Sequence, residues 1–259
     1  QTPPPASPSP AAEARPLTQE EIDRVNEAFS PLVEQDGVIY ATPVSGFFTS
    51  YYHDVKDLDF ADFLYYFPGD GTLSAEDEAE SNALKALPGY PWGTSPGSVP
   101  THRILRSSVD QTLERYAGIT SADLDTSGVP YLEEYDAWYT FTSDFGPGCF
   151  VCAGGQVDET AGTALLWTDE GEDGSRIELA LEKDGEDWHI RSHRNTADDA
   201  LLEVLAGLEG GGYRVCDLVR LGRSSGEDAL YLWAGLEENV VEVFGGSSLP
   251  QGRVHLEDE

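Results

Sequence analysis

Methionine is absent from this 259-residue chain, and cysteine occurs three times. Three thiols cannot build the paired framework of a disulfide-stapled domain, and they are too few for a zinc knuckle. Bases are scarce. Fifteen lysines and arginines stand against 48 acids, a formal charge of −33. A surface of that sign repels phosphate backbones, which excludes nucleic acid as a partner held by a basic patch. Long apolar runs are missing too, and nothing approaches the ~18 consecutive residues of a membrane-spanning helix. What is present is 39% hydrophobic and 10% aromatic residues, over a length that suffices for one large domain or two small ones, each with a real core.

Residues 1–16 read QTPPPASPSPAAEARP. Proline removes backbone donors and favours extended polyproline II, so this stretch is expected to be a stiff, disordered tether. No basic and apolar leader opens the chain, so the expectation is a mature chain whose signal peptide has gone. An α+β domain is then expected over 17–195. Over 196–259 a helix and a small β-rich segment should follow, either a truncated second module or an extension of the sheet.

Structure is expected to start at Thr18, which forms a capping box with Glu21 ahead of Ile22, Val25, Phe29 and Leu32 at helical spacing. Val38–Tyr40 and Phe47–Tyr52 read as short strands. Helices are expected over Asp59–Phe67 and Ser74–Leu87, the second acidic on one side with Ala79, Ala83, Leu84 and Leu87 on the other. Pro88–Pro100 reads as a loop. His102–Leu105 reads as a strand, leading into a helix capped by Ser107 with Asp110 and ending at Gly118. From Tyr131 the pattern turns to strands: Tyr131–Thr142, Cys149–Gln156, Thr163–Thr168, Ile177–Glu182 and Trp188–His193. A helix over Thr196–Ala206 precedes strands at Tyr213–Leu221, Ala229–Leu236 and Val240–Phe244. Helices upstream of an antiparallel meander make the fold class α+β. The meander ending in DWHIRSH is nuclear-transport-factor-like by analogy, a sheet shape that cups ligands.

Several runs carry a likeness: GFFTSYY (Gly46–Tyr52), HRI (His102–Ile104), ERYAGIT (Glu114–Thr120), YLEEYDAWYTF (Tyr131–Phe141) and SDFGPG (Ser143–Gly148). In them the chain resembles uncharacterised secreted lipoproteins of gut Clostridia, a family of unknown function. The resemblance implies an extracellular, cell-surface address with a lipid anchor in the precursor, and implies no activity.

Four sets of residues invite chemistry. Asp123, Asp125, Ser127 and Glu134 fall at positions 1, 3, 5 and 12 of a calcium loop with Gly128 at 6, which would supply hard oxygens on a sharp turn. Against it, Pro130 stands at position 8 and a strand follows; the alternative is one capped turn and a polar bend. Cys149 and Cys152 form a C-x-x-C inside an expected strand, where positions three apart point to opposite faces and free thiols are expected. Gly222–Gly226 matches G-x-S-x-G by letter, but between two strands it is a hairpin loop. His53 with Asp54, Asp57 and Asp59 is either a cluster that binds a cation or does acid–base work, or a solvated turn capping the next helix.

Aromatic residues are the remaining signal. Tyr90, Trp92 and Trp138 are candidates to line a groove for a small molecule, glycan or peptide, with core packing as the alternative. The expected role is therefore binding or structural, by a monomer without a resident cofactor. The competing class is a hydrolase acting through Glu133, Glu134 and Asp136 on the central sheet.

Overall fold

A computed structural model of the chain describes residues 14–74, 76–88, 90, 100–141, 146–171, 174–197, 213–218, 231–234, 240–244 and 250–258. The chain divides into two compact units, residues 1–168 with 178–194 and residues 169–177 with 195–259. Helices and antiparallel sheets both occur, so the fold is α+β.

The first unit opens with β1 (Arg15–Pro16) and α1 (Gln19–Ala28). The expected capping box forms: the Thr18 hydroxyl accepts the Glu21 N–H, and the Glu21 carboxylate accepts the Thr18 N–H at 2.8 Å. Two expectations need correction. Arg15 and Pro16 do not belong to an unpacked tether, since they pair antiparallel with Val157 and Gln156. The helix stops at Ala28, because Pro31 follows, and Leu32 belongs instead to β2 (Leu32–Gln35). This strand and β3 (Val38–Ala41) form a two-stranded hairpin.

Phe47–Tyr52 is not a strand. Pro43–Phe48 is a 3₁₀ helix with all of Val44–Phe48 buried. Pro43 fixes the entry angle, and a Cβ at Gly46 would stand 2.6 Å from the Phe63 carbonyl oxygen. Only a glycine lets the two backbones touch. Asp59 then caps α2 (Phe60–Tyr65).

β4 (Gly71–Thr72) precedes α3 (Glu78–Lys85), which starts four residues later than Ser74. β5 (His102–Leu105) and α4 (Arg106–Ala117) follow, with Leu105 rather than Ser107 at the N-cap, and Gly118 ends the helix as expected. The expected long strand from Tyr131 is a hairpin of β6 (Tyr131–Leu132) and β7 (Ala137–Thr140) around a turn at Glu133–Asp136. These strands make a sheet in the order β4-β5-β7-β6.

The second sheet of this unit holds β8 (Gly154–Asp158), β9 (Thr163–Trp167), β10 (Ile177–Asp184) and β11 (Asp187–Asn195). Its order is β1-β8-β9-β10-β11. Residues 149–153 precede β8 rather than forming part of it. Register places Val157 opposite Ala164, and Leu166 opposite Leu179, so these share a face with Leu181. Phe47, Phe63, Leu64, Ile104, Leu113, Leu179 and Ile190 are fully buried and form the core of this unit.

The second unit contains β12 (Tyr213–Leu218), β13 (Tyr231–Ala234), β14 (Val240–Phe244) and β15 (Pro250–Asp258) as an antiparallel sheet in the order β12-β15-β14-β13. The sequence reading missed β15. Most of the helix expected at Thr196–Ala206, and Gly222–Gly226, lie outside the described residues.

Candidate functional site

An amphipathic helix normally seals its apolar stripe against the core. α1 does not: it has no fully buried residue. Beneath it lies a cavity of about 420 Å³, within the size range of small-molecule sites, about 300–1,000 Å³. Leu17, Val25, Ala28 and Phe29 form one wall, and Val157, Ala164, Leu166 and Leu181 form the other. Tyr116 and Trp188 add aromatic surface.

The helix is pinned at both ends. At the N-terminal end, Arg15 donates to Glu21 Oε1 and Glu159 Oε1, each at 2.8 Å. This clamp ties the helix start to the turn after β8. The Arg15 guanidinium and the Thr18 N–H hold the Glu21 carboxyl down at about 2. Leu17 sits on the sheet because Gly155 has no side chain; a Cβ there would lie 2.7 Å from Leu17 Cδ1. Further along, Asn26 exchanges two hydrogen bonds with the Cys152 backbone. Phe29 then packs edge-on to Phe48, ring centres 5.6 Å apart.

A second polar cluster is buried between α3 and β5-β7. Glu80, 4% exposed, takes both Arg103 Nε and Nη2, and the Tyr139 hydroxyl donates to its Oε1 at 2.6 Å. Burial and the Glu80 carboxylate push the Tyr139 phenol well above its ordinary value. Asp77 adds a weaker contact to Arg103 at 3.5 Å. Protein groups take both Glu80 oxygens, so the cluster is a staple rather than an acid–base pair. It also changes the expected face of α3, which buries Glu80 and Leu84 while Ala79 is exposed.

The residues singled out from sequence are scattered. Trp138 is buried, 4.9 Å edge-on to Phe60 and 5.1 Å from the Tyr131 ring, and Tyr90 packs against the cluster of Leu84, Leu132, Ala137 and Tyr139. Both serve the core, on opposite sides of the β7 sheet, and do not share a groove. Trp92 lies outside the described residues.

Asp123 accepts the Thr120 N–H and hydroxyl, Asp125 accepts the Ser127 N–H, and Glu134 sits exposed in the β6-β7 turn. Among the described residues no three His, Cys, Asp or Glu side chains gather in a way that would hold a metal ion. The calcium-loop residues are thus not brought together, because local backbone caps use them first. Glu133 and Asp136 share the same turn, where Asp136 takes a left-handed φ of 48°. Neither is part of a carboxylate pair on a central strand.

His53 is exposed beside Asp54, which caps a 3₁₀ turn through the Lys56 N–H, and Asp59 caps α2. Cys149 is exposed and Cys152 buried, both free. Sequence reasoning missed the cavity because each wall residue reads singly as core.

Comparison of the chain with protein-family models, curated proteins and solved structures finds no match.

Proposed function

We propose that this protein is a binding module, and that the cavity between α1 and the face of the five-stranded sheet receives an apolar ligand. One observation carries the reading: an amphipathic helix, fastened at both ends, keeps its apolar side over a volume of about 420 Å³ instead of closing onto the sheet. Leu17, Val25, Ala28, Tyr116 and Trp188 keep exposed surface around it, and a ligand that covers apolar area there gains roughly 25 cal/mol for every Å². Aromatic surface at Tyr116 and Trp188 suits a chain or a ring equally.

The setting we infer is extracytoplasmic, at the cell surface and lipid-anchored in the precursor, on the likeness of the quoted runs to secreted lipoproteins. Protease treatment of intact producing cells tests it: loss of the protein supports a surface location, and full protection contradicts it.

N-phenyl-1-naphthylamine, a neutral apolar dye that brightens when dehydrated, tests the pocket. Saturable brightening at one dye per chain is expected. Ala28→Trp fills the cavity from an exposed helix position and should abolish the signal while the circular dichroism is retained. Brightening that survives Ala28→Trp would move the dye, and the function, elsewhere.

A further inference from the structure

The charges at the mouth of this cavity run against those of the chain. Four of its 15 bases line the cavity: Arg15, Arg24, Arg115 and Lys183. Three acids line it as well, but Glu21 and Glu159 are both bound to Arg15. Only Asp187 remains to offset the others.

Among the described residues, no carboxylate lies within 4.0 Å of Arg24, Arg115 or Lys183. Elsewhere in the first unit, Arg103, Arg106, Arg191 and Arg194 have acidic partners, whereas Lys56 and Lys85, away from the cavity, have none within 4.0 Å among the described residues. Of the five described bases of the first unit with no carboxylate within that distance, three line this one cavity.

The geometry of two of them is specific. Arg115 Cζ stands 5.1 Å from the Tyr116 ring centre, and Lys183 Nζ stands 6.0 Å from that of Trp188. Both rings line the cavity, so each cation is held at the edge of the apolar surface. Arg24 contributes from α1, its Nε donating to the Glu20 carbonyl at 3.4 Å.

We infer that the ligand is an anionic amphiphile, its apolar body between α1 and the sheet and a carboxylate or phosphate head among Arg24, Arg115 and Lys183. This rests on the proposed pocket and adds the chemistry of its mouth. Guanidinium groups offer paired donors that match an oxyanion. The −33 field of the chain opposes anions at long range, but it is screened beyond about 8 Å at physiological salt, so contacts at the mouth decide.

The test is displacement of bound N-phenyl-1-naphthylamine by three molecules of equal chain length: dodecanoate, dodecyl phosphate and dodecanol, each below its micelle concentration. Both anions should displace the dye at about tenfold lower concentration than the alcohol, the size of one charge-assisted contact. Whichever anion binds more tightly identifies the head group.

In Arg24→Gln/Arg115→Gln/Lys183→Gln, retained circular dichroism shows that the variant folds, and the anions should displace the dye at the same concentration as dodecanol, the advantage of about tenfold having vanished. Equal displacement by all three in the wild type, or an advantage that persists in the triple variant, overturns the head-group inference and leaves the pocket standing. Displacement by none of them, with no dye bound at the cavity, overturns both.

Discussion

Asn26 and Cys152 are joined by a pair of hydrogen bonds: Asn26 Nδ2 donates to the Cys152 carbonyl at 3.0 Å, and the Cys152 N–H donates to Asn26 Oδ1 at 2.7 Å. A side-chain amide thereby mimics one rung of a β-ladder and fixes α1 over the sheet. Its removal leaves two backbone groups unpaired.

Asn26→Ala should therefore lower stability by about 1–3 kcal/mol, the cost of stranding partly buried polar groups. Asn26→Asp keeps the acceptor but loses the donor and should fall between. Chemical denaturation of the three proteins checks the order. If Asn26→Ala matched wild type, the pin would be contributing nothing.

The Arg15 clamp has a pH signature. The Glu21 carboxyl falls from 4.5 to about 2 in the folded chain, chiefly through Arg15. A folded value below the unfolded one means that the native state binds fewer protons, so this contribution is whole above about 4.5 and is lost as pH falls toward 2. Wild type should melt above Glu21→Gln at pH 7, and the two should converge across that window. A gap that stayed constant from pH 7 to pH 2 would exclude the clamp as its source.

Glu80 makes a sharper demand, since an acid 4% exposed must keep its partner. Arg103→Met should cost about 3–5 kcal/mol by leaving that charge buried alone. Glu80→Leu with Arg103→Met should cost less than Arg103→Met itself. Tyr139→Phe removes one donor to the same carboxylate and should cost about 1–2 kcal/mol. A full denaturant series on these variants decides the ranking.

Calcium offers a separate check on the Asp123–Glu134 segment. With Asp123 and Asp125 engaged in local caps, calcium and magnesium at millimolar levels in 0.3 M salt should shift the melting temperature equally, by general screening. A shift with calcium alone, lost in Asp125→Ala, would show a specific loop.

The periodic elements were legible in sequence because their signals are local. Thr18 with Glu21 marked α1, Asp59 marked α2, and β-branched or aromatic runs marked β9, β11 and β14. The misses arise where tertiary contact overrides pattern. Phe47–Tyr52 is rich in aromatics like a strand, but its start coils because Pro43 and Gly46 bring it against Phe63.

Asp136 turns a hairpin at a left-handed φ without the glycine or asparagine that usually announces one. β15 opens on Pro250 and carries few apolar residues, so nothing in it reads as a strand. Of the candidate site almost nothing was legible. Its walls come from segments as distant as Leu17 and Leu181, and three bases become a cluster only once α1, the end of α4 and β10 converge.

Leu165 and Leu166 are adjacent on β9 and point to opposite faces of the sheet, and only Leu166 lines the cavity under α1. Methyl-labelled protein with unlabelled dodecanoate therefore gives the most direct measurement, through ligand-to-methyl nuclear Overhauser contacts. The account predicts contacts from the chain of the ligand to Val25, Leu166 and Leu181 and none to Leu165. Contacts to Leu165, or none to any of the four in a protein that binds the ligand, would contradict it.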